Sequence, residues 1–392
     1  MIVAPGQVVG MLGGGQLGAM FAVAARRMGY RVAVWDPDRD APAHRWTDHS
    51  FPAAFDEEAT YERFTDLVSV VTYEWENIPI RLCERLEERT VVRPAARILR
   101  VIQDRVEQKS FLQAHGFPVP AFRVMTSPEQ LAQAVDDLHY PCICKTATSG
   151  YDGKGQWKIA AEEDLGSAQA ELRATARPGS RWIVEQFLDF ERELSLLAVR
   201  GAGGDLRVYP PVENRHEHGI LRQTIVPAGV SPGVAAEATA LAERLISALD
   251  GLGLFCLELF LMKDGALFIN EVAPRPHNSG HYTLDACTVS QFEQQVRAVC
   301  GLPLGEVRLL SSAAMINLIG DEVETVRAEP EFSRLLAVPG AVMHLYGKRT
   351  VRARRKMGHL TFVAPSRETA VAYAETVRAR LARAAAVSLK QA

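Results

Sequence analysis

The chain has 392 residues, of which 47% are hydrophobic and 23% are charged, and 44 Lys and Arg against 47 Asp and Glu give a net charge of −3. This length exceeds the size at which single hydrophobic cores stop growing, so we predict two or three domains. The composition excludes a disordered chain, and the near-neutral charge disfavours a protein dedicated to binding nucleic acid.

The sequence shows no membrane segment or secretory signal. Its most apolar stretch, Leu252–Met262, is shorter than the roughly 20 residues that a membrane-spanning helix requires, and it contains Glu258. The first residues lack the basic and apolar segments of a signal peptide. We therefore expect a cytoplasmic enzyme without membrane contact. Cys142 and Cys144 lie close together, but no second cysteine pair completes a metal site, so we expect them to be buried.

The first hundred residues alternate between strands and helices. A strand at Gln7–Leu12 leads through a glycine turn into a helix at Ala19–Met28, and a second strand follows at Tyr30–Trp35. A further strand over Leu67–Thr72 precedes a helix that ends near Arg89. This order predicts a parallel α/β sheet, in a first domain that we place at residues 1–103.

Residues 104–300 are predicted to form the second domain, beginning with a helix at Asp104–His115. Within it, residues 121–190 should form a small mobile α/β subdomain. Its expected elements are strands at Phe122–Met125, Cys142–Lys145, Gln156–Ile159 and Trp182–Glu185, and helices at 128–138 and 162–175.

The rest of this domain should contain two paired strands, a helix and a hairpin, at Glu193–Val199, Leu206–Val212, Gly233–Leu249 and Leu254–Glu271. Residues 301–392 are predicted to form a third, β-rich domain. Its expected elements are strands at Ala341–Tyr346 and Gly358–Phe362 and a final helix at Arg367–Ala384.

The glycine turn after the first strand allows three interpretations. Gly13, Gly15 and Gly18 fit the pattern G-x-G-x-x-G, and Asp36 ends the next strand about 20 residues on, as in a dinucleotide-binding dehydrogenase. The same turn could bind another phosphate or anion at the helix N-terminus. The glycines could also serve only the close packing of helix on strand.

The hairpin around Asp264 and Gly265 predicts two facing carboxylates. Asp-Gly favours a two-residue type I′ turn, which pairs Lys263 with Ala266 and places Glu258 opposite Glu271. Like charges in this position repel, and neither strand carries another cation.

We therefore expect Mg²⁺ between Glu258 and Glu271, with Asn270 as a further ligand or orienting group. Because Mg²⁺ in proteins often also binds substrate phosphates, the pair implies a nucleotide triphosphate. The alternative is that one glutamate is exposed or that the hairpin has another register.

A lysine and a glycine loop form a second phosphate motif. Lys145 ends a strand and precedes the donor-rich segment 146–156, which lacks the G-K-[ST] ending of a Walker A loop. Such a loop can still cover phosphates through its N–H groups while the lysine, expected to be exposed at its base, supplies charge. A plain hairpin turn is the alternative.

Five segments together resemble the ATP-grasp superfamily and, within it, the family of N5-carboxyaminoimidazole ribonucleotide synthetases, over nearly the whole chain. They are Gly13–Gly18, Tyr73–Asn77, Gly150–Gln156, Asn270–His281 and Arg355–His359. The resemblance implies an α/β protein with an ATP-grasp fold, an N-terminal Rossmann-like (pre-ATP-grasp) domain and a small C-terminal β-rich domain. It also implies a homodimer.

The resemblance further implies the residues that bind ATP and metal. Those expected to contact the nucleotide are Arg105, Lys145, Gly150, Tyr151, Asp152, Gly153, Lys154, Gly155, Gln156, Glu185, Gln186, Phe187, Leu188, Glu193, His216, Asn270 and Glu271. Glu258 and Glu271 align with magnesium ligands, and Mn²⁺ is a possible substitute. Ala147-Thr148-Ser149 stands where many members have an arginine, whose phosphate contact Lys154 could supply.

The second substrate implied is 5-aminoimidazole ribonucleotide. Its expected contacts are Gln16, Leu17, Glu76, Tyr151, Asp152, Arg275 and Asn278, with Lys348 and Arg355 on its phosphate unless they form a solvated basic face. The expected reaction is ATP-dependent carboxylation by bicarbonate through carboxyphosphate. Lys145 and Arg275 would stabilise the transferring phosphoryl group, and Asp152 or, less favoured, His277 would position the amine or accept its proton.

Three other functions are alternatives to this one. A formate-using purine transformylase shares the ATP half, a dehydrogenase would bind NADH without ATP turnover, and a non-catalytic nucleotide-binding module would lack the carboxylate pair. Assays of ADP release with bicarbonate or formate separate these alternatives.

Overall fold

The computed structural model describes residues 1–148, 150 and 155–391, and of residues 384–391 it describes the backbone. The N-terminal region is a five-stranded parallel sheet with strand order β3-β2-β1-β4-β5. Its elements are β1 Val8–Leu12, α1 Gln16–Arg27, β2 Arg31–Trp35, β3 His49–Phe51, α2 Glu58–Leu67, β4 Val70–Tyr73, α3 Ile80–Glu87, β5 Val91–Val92 and α4 Ala96–Gln103. The predicted parallel α/β sheet is confirmed.

This sheet is buried on both faces, which explains why its strands read as continuous apolar runs. Val9 and Met11 of β1 pack in one core with α1, while Val8 and Leu12 pack in a second core with Phe64 of α2. A helix from much later in the chain, Gln291–Cys300, adds Phe292 and its neighbours to the α1 side.

A small four-stranded antiparallel sheet follows, with strand order β6-β9-β7-β8. The elements here are α5 Arg105–Ala114, β6 Phe122–Met125, α6 Leu131–Leu138, β7 Cys142–Thr146, β8 Gln156–Ile159, α7 Glu163–Thr175 and β9 Trp182–Gln186. All six cysteines of the chain are buried and unpaired, and Cys142 and Cys144 pack in the core of this unit. The expected burial of that pair is therefore confirmed.

The largest sheet runs in the order β15-β14-β10-β12-β13-β16-β18-β17, with β11 paired to β10. Its first part contains β10 Arg192–Arg200, β11 Leu206–Val208, β12 Val212–Glu217, β13 Ile220–Val226, α8 Pro232–Leu249, β14 Gly253–Leu261, β15 Leu267–Ala273, α9 Thr283–Ala286 and α10 Gln291–Cys300. The strand expected over Leu206–Val212 was wrong in extent, because it crosses Pro210 and Pro211 and the chain starts a new strand after them.

The C-terminal residues continue the same sheet. They form β16 Ser312–Ile319, α11 Glu322–Arg327, α12 Glu331–Leu336, β17 Ala341–Leu345, β18 Lys356–Ala364 and α13 Arg367–Gln391. Since β13 pairs with β16, no break in the sheet corresponds to the predicted boundary after residue 300. The boundaries at 103 and 300 stay predictions. Among the described residues, no helix combines the length and apolar character needed to cross a membrane.

The β14–β15 hairpin has the expected pairing of Glu258 with Glu271, but its turn and its register differ from those predicted. The turn holds three residues rather than two, because the N–H of Met262 donates to Ala266 and Gly265 alone in it has positive φ. The predicted type I′ turn is therefore wrong. An irregularity between Glu258 and Leu259 shifts the register back by one, so that Glu258 does face Glu271.

Candidate active site

A cleft of about 710 Å³ lies between the small sheet, the large sheet and the glycine turn. It gathers most of the residues that the sequence singled out. Its lining includes Gln16, Leu17, Glu76, Arg105, Lys145, Gly150, Gln156, Glu185, Gln186, Phe187, Leu188, Glu193, His216, Glu258, Asn270, Glu271, Arg275, His277 and Asn278.

The facing carboxylates lie at the floor of the cleft. The shifted register leaves Asn270 as an extra residue beside Glu271, and a bulge of this kind directs two consecutive side chains to one face of a strand. Burial and the neighbouring charge of Glu271 raise the pKa of Glu258 to about 8. Ionising both carboxyl groups is therefore unfavourable in the chain alone.

Basic side chains from other elements approach this pair. His277 Nε2 lies 3.3 Å from a Glu258 oxygen, and Arg105 lies 3.9 Å from Glu271. Burial, and then the charge of Arg275, hold the pKa of His277 well below its usual value, so the imidazole is neutral at neutral pH. These neighbours lie on other elements, so the pattern of the two strands does not reveal them.

A lysine-flanked carboxylate lies at the end of the cleft nearest α5. Lys145 Nζ donates to one oxygen of Glu185 at 2.8 Å, and Lys109 Nζ lies 3.8 Å from the other. Burial opposes the charge of Glu185, but the two lysines outweigh it and lower the pKa of Glu185 to about 2. Lys145 is only 8% exposed, so the expectation of an exposed lysine was wrong.

Aromatic side chains and backbone groups form another part of the wall. Phe190 and Phe260 stack with ring centroids 4.5 Å apart, and both line the cleft. The N–H groups of Gln186 and Phe187 donate to Ala121 and Pro141 of the neighbouring chain segments. At least two of the four backbone N–H groups in the predicted adenine-binding segment are thus already engaged, so this segment would use other backbone groups.

Glu193 and His216 form a contact pair within the same wall. Burial lowers the pKa of His216, but the hydrogen bond and charge of Glu193 outweigh burial and leave it raised. The pair presents both a carboxylate and an imidazole to the cleft.

The glycine turn contains an anion of the chain itself. The N–H of Gly18 donates to Glu74 at 2.6 Å, and the N–H of Gly15 donates to the other oxygen of the same carboxylate. A Cβ on Gly15 would lie 2.5 Å from Glu74 Oε1, so the glycine is needed for this approach. Glu74 therefore occupies the place at the α1 N-terminus where a dinucleotide phosphate would lie.

Beside this turn, Glu76 pairs with Arg275. Burial would raise the pKa of Glu76, but the Arg275 guanidinium lowers it overall. Asn278 is 7% exposed and donates to Asn317 at 3.1 Å. These contacts hold three of the predicted ribonucleotide-binding side chains in fixed positions.

The two basic residues expected on the ribonucleotide phosphate do not line the cleft. Lys348 donates to the carbonyl of Lys356 at 2.7 Å, and Arg355 donates to that of Thr350 at 3.0 Å. Lys356, which was not among the predicted contacts of the ribonucleotide phosphate, does line the cleft. Both predicted phosphate contacts stay predictions.

Part of the glycine loop lies outside the described residues, namely Ser149, Tyr151, Asp152, Gly153 and Lys154. Of the flanking residues, Gln156 and Gly150 line the cleft. Gly155 has φ +67°, and a Cβ there would meet Thr146 Oγ1 at 2.7 Å, so the loop end requires glycine.

Sequence reasoning missed Lys109, Glu74, the Phe190–Phe260 stack and Lys356. Lys109 had one available signal, because it lies four residues after Arg105 and so on the same helix face. The other contacts join distant segments and carry no local signal.

Three family models match the chain. They are a ribonucleotide synthetase preATP-grasp domain over residues 7–103, an ATP-grasp domain over 110–292 and a phosphoribosylaminoimidazole carboxylase C-terminal domain over 313–373. The chain is also similar to the N5-carboxyaminoimidazole ribonucleotide synthase of Bacillus subtilis strain 168. The two are 41% identical over 362 residues, which cover 92% of this chain and 93% of the relative.

Two solved structures have the same fold. The N5-carboxyaminoimidazole synthetase of Staphylococcus aureus complexed with ADP gives a TM-score of 0.89 at 34% identity, covering 96% of this chain and 98% of that one. The synthase of Aspergillus clavatus, in complex with ADP and 5-aminoimidazole ribonucleotide, gives 0.85 at 30% identity, covering 96% and 99%.

Proposed function

The chain belongs to the family of N5-carboxyaminoimidazole ribonucleotide synthases, and from this premise we propose how its cleft carries out the reaction. It is an ATP-grasp ligase that carboxylates 5-aminoimidazole ribonucleotide in purine biosynthesis with consumption of ATP. One observation carries the residue assignments: a lysine, an arginine and two facing carboxylates line a single cleft.

ATP would bind with its base and ribose along the wall formed by 186–188, the Phe190–Phe260 stack and the Glu193–His216 pair. Its phosphates would then reach Lys145 and Arg105. The wall offers apolar area for a base and polar groups for a ribose, while the far end concentrates cations. The Aspergillus clavatus and Staphylococcus aureus relatives bind ADP, which supports a nucleotide site in this fold.

A divalent cation would be held by Glu258 and Glu271, with Asn270 beside them. The donor set fits Mg²⁺, because all three side chains offer oxygen atoms and the paired carboxylates lack full compensation, as the raised pKa of Glu258 indicates. When bound, Mg²⁺ would neutralise charge on the phosphates. The His277 contact with Glu258 supports a role for this imidazole in orienting the carboxylate.

The ribonucleotide would bind at the glycine-turn end. Gln16 and Leu17 begin α1 there, and Glu76, Arg275 and Asn278 face the same space. The Aspergillus clavatus relative binds 5-aminoimidazole ribonucleotide together with ADP, which supports a second substrate site in this cleft.

The chemistry would proceed in two transfers. A bicarbonate oxygen attacks the γ-phosphorus of ATP, the bond to the β-phosphate oxygen breaks, and carboxyphosphate and ADP form. The exocyclic amine of the ribonucleotide then takes the carboxyl group, losing a proton while inorganic phosphate leaves. Lys145 and Arg275 would stabilise negative charge during the first transfer, and Asp152 stays the proposed group for positioning the amine or accepting its proton.

The test is ADP release by the wild-type chain, with bicarbonate or formate and with or without 5-aminoimidazole ribonucleotide. The proposal predicts bicarbonate-dependent release coupled to carboxylated product, with no release supported by formate. Release supported by formate would instead favour the transformylase alternative. The homodimer and the cytoplasmic location also stay proposals, the former testable by light scattering.

A further inference from the structure

Lys109 is a buried lysine that the proposed reaction does not use. It lies on α5, one turn after Arg105, and its side chain is only 3% exposed. The recess that it lines also contains Arg105, Lys145, Glu185 and Glu271. A buried ammonium group is costly unless it is paired, so its place beside the nucleotide cleft requires a physical reason.

The contacts of Lys109 and Lys145 with Glu185 are unequal. Lys109 Nζ donates to the carbonyl of Ile269 at 3.0 Å and lies 3.8 Å from Glu185 Oε1, too far for a hydrogen bond. Lys145 donates to Oε2 at 2.8 Å. Among the described residues, the buried Oε1 has no hydrogen-bond partner. Glu185 is therefore bonded to one lysine while the second is held close by.

This arrangement affects ATP binding if Lys145 has to leave Glu185 in order to contact the phosphates. In the proposed function Lys145 binds the phosphates of ATP, yet in the chain alone it is bonded to Glu185. A carboxylate that is 2% exposed would lose its hydrogen-bonded cation at that moment. Removing one partner of a buried ion pair is strongly unfavourable, so this loss would oppose ATP binding.

We propose that Lys109 is a positioning residue. It replaces Lys145 as the cation that compensates the negative charge of Glu185 when Lys145 turns toward the phosphates of ATP. Its Nζ lies 3.8 Å from Oε1, so an approach of about 1 Å would form a hydrogen bond. This inference rests on the proposed binding of ATP in the cleft.

The other cation of the recess is already engaged. Arg105 donates to the carbonyls of Thr146 and Gly150, at 3.2 and 2.8 Å, and lies 3.9 Å from Glu271. Its guanidinium therefore serves the loop base and the carboxylate pair. Lys109 is the cation that faces the second oxygen of Glu185 within the described part of the chain.

The experiment compares the affinities of ATP and adenosine, measured by calorimetry on the full chain. In Lys109→Met the free chain keeps its Lys145–Glu185 bond, and ATP has to break that bond without replacement. We expect ATP affinity to fall at least about tenfold, and adenosine affinity, which involves no phosphate, to stay within about twofold. A merely structural role would lower both. Lys263→Met is the matched control, because that lysine is 69% exposed on the hairpin turn.

A second variant tests the charge argument itself. In a Glu185→Gln background residue 185 has no negative charge to compensate, so adding Lys109→Met should change ATP affinity by less than about twofold. A full tenfold penalty in that background, or equal ATP affinity of wild type and Lys109→Met, would overturn the inference alone. A wild-type chain that binds no ATP would overturn the proposed function together with it.

Discussion

Both ends of the cleft carry groups that attract anions. At one end these groups bind a carboxylate of the chain itself, and at the other they face open space. At the glycine turn, the N–H groups of Gly15 and Gly18 bind Glu74 of the chain itself. At the α5 end, Lys109 and Lys145 flank Glu185, and these two lysines and Arg105 line open space. A glycine motif thus marks a backbone that favours an anion without saying which anion occupies it.

This comparison also explains why the dehydrogenase alternative fails. Its fingerprint is present, but the position for the pyrophosphate is filled by Glu74, and Asp36 accepts from the N–H of Gly14 at 2.6 Å instead of facing a ribose. The family comparison agrees, since the matching model for residues 7–103 is a preATP-grasp domain.

The largest effect should come from the carboxylate pair. We expect Glu271→Gln to lower turnover at least about a hundredfold, because one of two facing carboxylates no longer binds the cation that neutralises the phosphates. Steady-state ADP release at limiting Mg²⁺ measures this. Glu306→Gln, on a side chain that is 74% exposed, is the control. Unchanged activity at limiting Mg²⁺ would show that the hairpin does not hold the metal.

The pH dependence of Mg²⁺ binding should be the next largest effect. Because burial and Glu271 raise the pKa of Glu258 to about 8, the cation has to displace a proton below that pH. The apparent affinity for Mg²⁺ should therefore rise as pH increases toward 8, by at most about tenfold per pH unit, and level off above it. Titrations of ADP release with Mg²⁺ at pH 6.5, 7.5 and 8.5 measure this, and a flat profile would contradict it.

The smallest effect is expected at the glycine turn. In Glu74→Gln the side-chain NH₂ would face one of the two glycine N–H groups, leaving a buried donor without an acceptor. We expect a loss of about 1–2 kcal/mol in the free energy of unfolding and a severalfold rise in KM for the ribonucleotide. Urea denaturation and steady-state kinetics measure the two effects. Glu88→Gln, on an exposed side chain, should change neither.

Much of the fold could be predicted because its signals are local. The strands Phe122–Met125 and Gln156–Ile159 have the bounds expected from apolar runs and turn residues. By contrast, β12 carries the polar run Val212–Glu217 in the middle of the large sheet, and its side chains are stabilised by distant partners such as Arg192 and Arg367 on Glu213. No periodicity reveals such a strand.

In the candidate site too, features within one local segment could be predicted, and contacts between distant segments could not. The pairing of Glu258 with Glu271 followed from counting along a hairpin, although a three-residue turn and a bulge were needed to produce it. The Glu74 carboxylate in the glycine turn and the Lys109–Glu185 approach join segments 56 to 76 residues apart, so only the folded chain shows them.

The central claim is that nucleotide phosphates bind at the lysine end of the cleft and not at the glycine turn. The most direct measurement is the affinity for ADP, by calorimetry, of the wild type, Lys145→Met and Glu74→Gln, with cooperative unfolding of each variant checked first. We predict that Lys145→Met weakens ADP binding at least about tenfold while Glu74→Gln leaves it within about twofold. Weakened or strengthened ADP binding in Glu74→Gln, with wild-type affinity in Lys145→Met, would contradict the account.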